Sequence, residues 1–235
     1  MDFSPLLKDL NIEFSDQKLL KRAFTHRSLL NEQDQAIKSN ERLEFLGDAV
    51  LELVATEYLF LQFEQFAEGQ LTALRSALVR GKHLAVVARK IELDKYMLLS
   101  KGEDQSGGRD KDYILANMTE ALIGAIHLDQ GFQVSKQFIL DHIICNIDEI
   151  ISNRLHIDPK TYFQEICQEI FGLTPEYKLI SQSGPDHNKI FIMAVYVGTR
   201  KVAEGSDSSK QKAEQQAATL AIKVIEDKDA LDPLT

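Results

Sequence analysis

"NERLEFLGDAV", Asn40 to Val50, runs without a break into "LELVATEYLF", residues 51–60. Leu43, Leu46, Val50, Leu51, Val54 and Ala55 recur at helical spacing, which predicts one long helix over roughly 41–61. Three carboxylates, Glu41, Glu44 and Asp48, are set into this apolar run. A helix face that only needs solvation mixes Lys with Glu, whereas this stripe is acidic. At about 100° per residue, Glu44 and Asp48 lie about 40° apart around the axis and one turn apart along it. Their carboxylates can therefore converge on one point.

A matching pair stands downstream in "ILANMTEALIGAIHLD", residues 114–129, where Asn117 and Glu120 share a helix face at i and i+3. One turn on is Gly124, whose missing side chain permits another helix to come close. Two helices packed through these faces would gather four oxygen ligands, three of them anionic. Carboxylates in a partly dry site repel one another unless a cation neutralises them. Hard oxygen donors suit Mg²⁺, with Mn²⁺ as a possible substitute, and both ions keep water and accept phosphate oxygens. Such an ion polarises a phosphodiester and lowers the pKa of bound water. A lone ExxxD pair is more often surface charge or a helix-dipole partner, so spacing by itself leaves both readings open.

Around these segments the chain reads as two parts. Up to about residue 153 helical patterns dominate, with further helices expected over 70–90, 112–128 and 133–152 and the clearest loop at 101–111, "KGEDQSGGRDK". Beyond "NRLHIDPK" (153–160) the pattern changes. Asp158-Pro159 starts an amphipathic helix that ends at Gly172; three alternating strand patterns and a last helix follow, with Ser208 or Ser209 as its N-cap. The expected fold is an all-α domain over 1–155, then a small α+β domain (α-β-β-β-α) over 158–227 and a tail over 228–235.

The 235 residues carry a formal net charge of −9, which counts against a nucleic-acid partner unless local basic patches exist. No apolar run is long enough to span a bilayer and no signal-peptide pattern opens the chain, so no membrane association and a cytoplasmic location are expected. Cys145 and Cys167 have no CxxC partner and read as reduced thiols.

"NERLEFLGDAVL" closely resembles the signature of the bacterial ribonuclease III family. So do "FTHRSLL" (24–30), "EGQLTALRSALVRGKHLA" (68–85), "KGEDQSGGRDK" and "ILANMTEALIGAIHLDQG" (114–131). "DPKTYFQEICQEI" (158–170), "SGPDHNKIF" (183–191) and "SSKQKAEQQAA" (208–218) resemble a double-stranded-RNA-binding domain. The resemblance implies an endonuclease domain acting as a homodimer on duplex RNA with Mg²⁺. Its products would carry 5′-phosphate and 3′-hydroxyl ends with short 3′ overhangs, and its substrates would include ribosomal-RNA precursors and other structured RNAs. Glu44, Asp48 and Glu120 match the family's acidic positions, with Asp48 and Glu120 the expected catalytic pair and Glu44, Asp48, Asn117 and Glu120 the expected metal ligands. Glu41 and Glu68 match more peripheral acids. Asn117 departs from the family's usual Asp; an amide oxygen still ligates Mg²⁺ but brings no charge, so weaker metal affinity is expected.

For RNA, the resemblance points to Gln164 and Gln168 on the first helix, the loop Gly184–His187, and Lys210 and Lys212 at the start of the last helix, where the helix N-terminus also favours phosphate. Residues 158–227 hold eight Lys or Arg against ten Asp or Glu, and Gln211 interrupts the lysines, so binding is expected to be salt-sensitive or Mg²⁺-assisted. His26 and Arg27 read as a cap and packing contact; Leu51, Val54, Ala55, Tyr58 and Leu59 read as core or dimer interface. A non-catalytic duplex-RNA-binding or ribosome-associated protein on the same fold is the alternative, and a helical hydrolase of small phosphorylated compounds is a third reading that leaves the C-terminal domain without purpose.

Overall fold

Helix α7 (Asp112–Gln130) sets the architecture of the first half of the protein, in a computed structural model that describes residues 1–31, 38–154, 156–185 and 188–226. Its sequence is apolar on nearly every side, and Ile114, Leu115, Met118, Ala121, Leu122, Ile123 and Ile126 are all buried. A helix of that composition must be central, with others laid around it. In chain order the others are α1 (Ser4–Asp9), α2 (Gln17–Ala23), α3 (Glu41–Gln62), α4 (Glu68–Val79), α5 (Gly81–Lys90) and α6 (Lys101–Gln105) before α7, then α8 (Phe132–His142) and α9 (Ile147–Ser152) after it. α3, α5, α2 and α8 pack directly on α7. Leu51, Val54 and Ala55 of α3 are fully buried, and Leu59 nearly so, so this stripe is core within one chain, with Tyr58 half-buried beside it.

Two long helices of the sequence reading are broken in the structure. Over 70–90 the apolar period runs on, but Arg80 is extended (φ −62°, ψ 143°), which ends α4 and starts α5. The break lets α4 pack on α3 and α9 while α5 turns to lie on α7. Over 133–152, Ile143 (φ −107°, ψ −55°) and a 3-10 turn at Ile144–Asn146 separate α8 from α9. The 101–111 stretch is more ordered than a loop. Ser100 Oγ caps α6 by accepting from the Glu103 N–H, and a 3-10 turn covers Gly108–Asp110. Arg109 stitches that segment down, donating to Asp104 and to the carbonyls of Asp94 and Met97.

The chain divides into two compact units, Met1–His156 and a second from Ile157 onward. The second unit has the order α10 (Pro159–Phe171), β1 (Glu176–Ser183), β2 (Ile190–Val197), β3 (Arg200–Asp207) and α11 (Lys210–Glu226). The sheet is antiparallel in the order β1-β2-β3, with Tyr177 opposite Val195 and Val195 opposite Ala203. Phe163 and Cys167 of α10 meet Val195 and Val197 of the sheet and Ala217, Ala218 and Ala221 of α11 in one core. Ser209 Oγ accepts from the Lys212 N–H and is the N-cap of α11. Cys145 is exposed and Cys167 buried, both free, and burial pushes the Cys167 thiol up to about 11. Among the described residues no helix is long and apolar enough to cross a membrane.

Candidate metal centre and nucleic-acid interface

α3 and α7 cross backbone to backbone. A Cβ built on Gly47 would lie 1.7 Å from the carbonyl oxygen of Glu120, and one built on Gly124 would lie 2.2 Å from that of Leu43. No other residue fits at either position without driving the helices apart. The crossing point sits between Glu44 and Asp48 on one helix and directly at Glu120 on the other, so it draws the acids of the two helices together. Gly124 is legible as a close-approach residue in the sequence; Gly47 is the partner that sequence reasoning missed, although its place between the two acids is the signal that could have revealed it.

The electrostatics report that convergence. The Glu120 carboxyl is pushed up to about 8 by burial first, then by the charges of Asp48 and Glu44. Glu44 is raised as well, by burial and then by Glu41, with a hydrogen bond from the Asn117 side chain pulling the other way and Asp48 adding to the rise. Asn117, Glu44 and Glu120 are half-buried while Asp48 is exposed. The three acids therefore act on one another across the crossing, and the Asn117 side chain eases the rise at Glu44.

The donor set is oxygen throughout, and its carboxylates are destabilised by one another, so the residues fit a hard divalent cation. Among the described residues no three Asp, Glu, His or Cys side chains stand together closely enough to hold a metal ion by themselves. Mg²⁺ does not require three, since it is commonly held by one or two carboxylates with several waters and substrate phosphates completing its shell.

The surrounding acids have other partners. Glu41 accepts from Ser39 Oγ at 2.8 Å and faces Arg27 at 3.4 Å, at the start of α3. The buried Asn40 anchors the same end by donating to the Ala23 carbonyl. Glu68 is exposed at the first turn of α4, 3.4 Å from Thr72 Oγ1. His26 Nδ1 meets Ser28 Oγ, which in turn accepts from the Ser100 N–H, so His26 belongs to the packing beneath α6.

In the second unit Gln164 and Gln168 are exposed one turn apart on α10, and Lys210 and Lys212 are exposed in the first turn of α11. Lys210 Nζ lies 5.9 Å from the centre of the Phe191 ring. Gln164 and Gln211 border the same polar cleft, so the starts of the two helices present one surface. His187 falls outside the described residues.

Comparison with known proteins agrees with this geometry. A ribonuclease-III-like family model matches residues 16–147, and a double-stranded RNA binding motif matches residues 159–225. A protein named ribonuclease 3 from Natranaerobius thermophilus is 44% identical over 224 residues, covering 95% of this chain and 96% of its own length. Ribonuclease 3 of Borreliella burgdorferi is 40% identical over 223 residues, 95% of this chain and 91% of that one. Among solved structures, the nuclease domain of ribonuclease III from Campylobacter jejuni aligns with a TM-score of 0.57 at 45% identity, covering 62% of this chain and 98% of that domain; its description concerns a region involved in dimer formation.

Proposed function

This chain belongs to the ribonuclease III family and is a double-stranded-RNA endoribonuclease with a duplex-RNA-binding domain, and from that premise we propose how its own residues carry out the reaction. The observation that carries the reading is the crossing of α3 and α7 at Gly47 and Gly124, which brings Glu44, Asp48, Asn117 and Glu120 to one half-buried place. There Glu44, Asp48 and Glu120, with the Asn117 side chain, would hold Mg²⁺, or Mn²⁺ in its place. When bound, the ion supplies Lewis-acid polarisation of the scissile phosphodiester and activation of water.

The chain's own part is positional and electrostatic. Asp48, the exposed acid, faces incoming substrate. Glu120, deeper and held protonated to about pH 8, would ligate a cation only in its ionised form. Hydrolysis then leaves 5′-phosphate and 3′-hydroxyl ends, and staggered cuts on the two strands leave short 3′ overhangs. Structured RNAs such as ribosomal-RNA precursors are the proposed substrates.

Staggered cutting needs two sites, and α3 supplies the surface for a homodimer. Phe45, which is 81% exposed, lies with Leu53 and Phe60 on a stripe about 80° wide along the helix, beside the acids. An apolar stripe of this kind marks a protein–protein contact. Pairing two copies there would set each acidic centre at the edge of the interface. On the second unit, Gln164 and Gln168 meet 2′-hydroxyls in a minor groove while Lys210 and Lys212 meet phosphates.

The test is incubation of the purified protein with a long perfect duplex in Mg²⁺ or in EDTA, with single-stranded controls and end-group analysis of the products. Short duplexes with 5′-phosphates, formed with Mg²⁺ alone, are expected. Binding without cleavage would establish the non-catalytic alternative instead.

A further inference from the structure

The residues proposed to meet RNA in the second unit sit on two different helices, so something must hold those helices in step. On its buried face, α10 packs Phe163 and Cys167 against the small side chains of Ala217, Ala218 and Ala221. The larger Ile222 and Ile225 of α11 join this core only toward the end of that helix, so the packing near its start rests on alanines. On the solvent side of that core, a polar cleft of about 330 Å³ lies between the starts of the helices, lined by Gln164 and Thr161 of α10 and by Gln211 and Gln215 of α11.

Two polar links span the gap. Lys160, one turn before Gln164, places its Nζ 2.6 Å from Glu214 Oε2, one turn after Lys210. The same Nζ lies over the Tyr177 ring, 4.7 Å from its centre, so the ammonium is braced from β1 as well. Asp158 makes the second link. Its Oδ1 caps α10 by accepting from the N–H groups of Lys160 and Thr161, and its Oδ2 accepts from Gln215 Nε2 at 3.3 Å. Side-chain exposures of 36% for Lys160 and 22% for Glu214 put this ion pair between core and surface. Pairs so placed add little to stability, so what this one offers the domain is a fixed spacing between the two helices.

We propose that Lys160 and Glu214 are positioning residues for duplex recognition: their ion pair, braced on Tyr177, holds Lys210 and Lys212 at a set spacing from Gln164 and Gln168, so that one duplex meets both helices at once. This rests on the RNA-facing surface proposed above. It assigns Glu214, an acid beside a polyanion site, a favourable effect on RNA affinity, opposite in sign to what its charge alone would give.

Binding of a fluorescent duplex of about 20 base pairs, longer than such a domain spans, is measured for the full chain in EDTA over a range of salt. Lys160→Met and Glu214→Gln are each expected to weaken affinity roughly five- to tenfold, with no change in the slope of log Kd against log salt. Lys160→Arg keeps parental affinity, and the charge-exchanged pair Lys160→Glu with Glu214→Lys recovers most of the loss. Thermal unfolding of each variant reads folding separately, and Lys160→Arg and the exchanged pair retain the link should a single variant fold poorly.

Unchanged or tighter binding by Glu214→Gln overturns the proposal. So does a slope that falls by about 0.7–0.9 in Lys160→Met, which would make Lys160 itself a phosphate contact. Lys210→Ala with Lys212→Ala serves as the control. If that pair binds like the parent, the RNA-facing surface itself is misplaced; if it weakens binding while the Lys160 and Glu214 variants do not, only the positioning role falls.

Discussion

Glu120 is the residue on which the proposed chemistry turns, and its proton makes that proposal testable. An ordinary glutamate has lost that proton by neutral pH, whereas burial and the charges of Asp48 and Glu44 hold it here to about 8. Between about 4.5 and 8 the folded, metal-free chain thus keeps a proton that the unfolded chain has released. Stability in EDTA is expected to fall as pH rises through that window, and the slope should flatten in Glu120→Gln, as thermal unfolding at a series of pH values will show. Divalent-ion binding must displace the same proton, so apparent Mg²⁺ affinity should rise with pH up to about 8. Cleavage by Glu120→Gln or Asp48→Asn should drop at least about a hundredfold while duplex binding persists, read by a gel shift beside the cleavage assay. Asn117 now lowers the Glu44 carboxyl against the rise from burial. Asn117→Asp replaces that amide with a fourth charge, and the half-saturating Mg²⁺ concentration for cleavage is expected to fall roughly three- to tenfold; no change would remove Asn117 from the ligand set.

Among the elements, the α3–α7 crossing is the contact that makes a site out of scattered acids. Gly47→Ala would force a methyl into the Glu120 carbonyl, an overpacking expected to cost about 3 kcal/mol. The prediction is a lowered unfolding temperature together with a cleavage loss greater than the residual folded fraction explains, because the acids would be spread as well as the fold weakened. The start of α11 is the other element given a role in the proposed function. Lys210→Ala and Lys212→Ala should each weaken duplex binding and reduce the salt slope by about 1, and an affinity flat across salt in the parent would contradict phosphate contact there. Elements also mark where periodicity misled. The 70–90 pattern is continuous in hydrophobicity, but α4 and α5 face different neighbours, and only the competition among α3, α7 and α9 for those faces bends the chain at Arg80. Within 101–111, glycines and mixed charge signal a loop, yet Arg109 and the Ser100 cap supply enough bonds to order two short turns.

At the scale of the molecule, the exposed Phe45 predicts assembly. Phe45→Asp should shift the protein from dimer to monomer in analytical ultracentrifugation, with cleavage reduced and the fold retained, since that side chain contributes little to the core of its own chain. The amino-acid sequence by itself determined the two-part organisation, the α-β-β-β-α order of the second unit, the helix faces that carry the acids, and the family. These follow from local periodicity, capping residues and motif spacing, which depend on residues near one another along the chain. Only the tertiary structure decided that Gly47 meets Glu120 across a backbone contact, that the Asn117 amide is spent on Glu44, and that Lys160 reaches Glu214 54 residues away. The physical reason is that each of these is a contact between faces of different helices. Crossing point, axial rotation and burial belong to the packed assembly, and no window of sequence contains them.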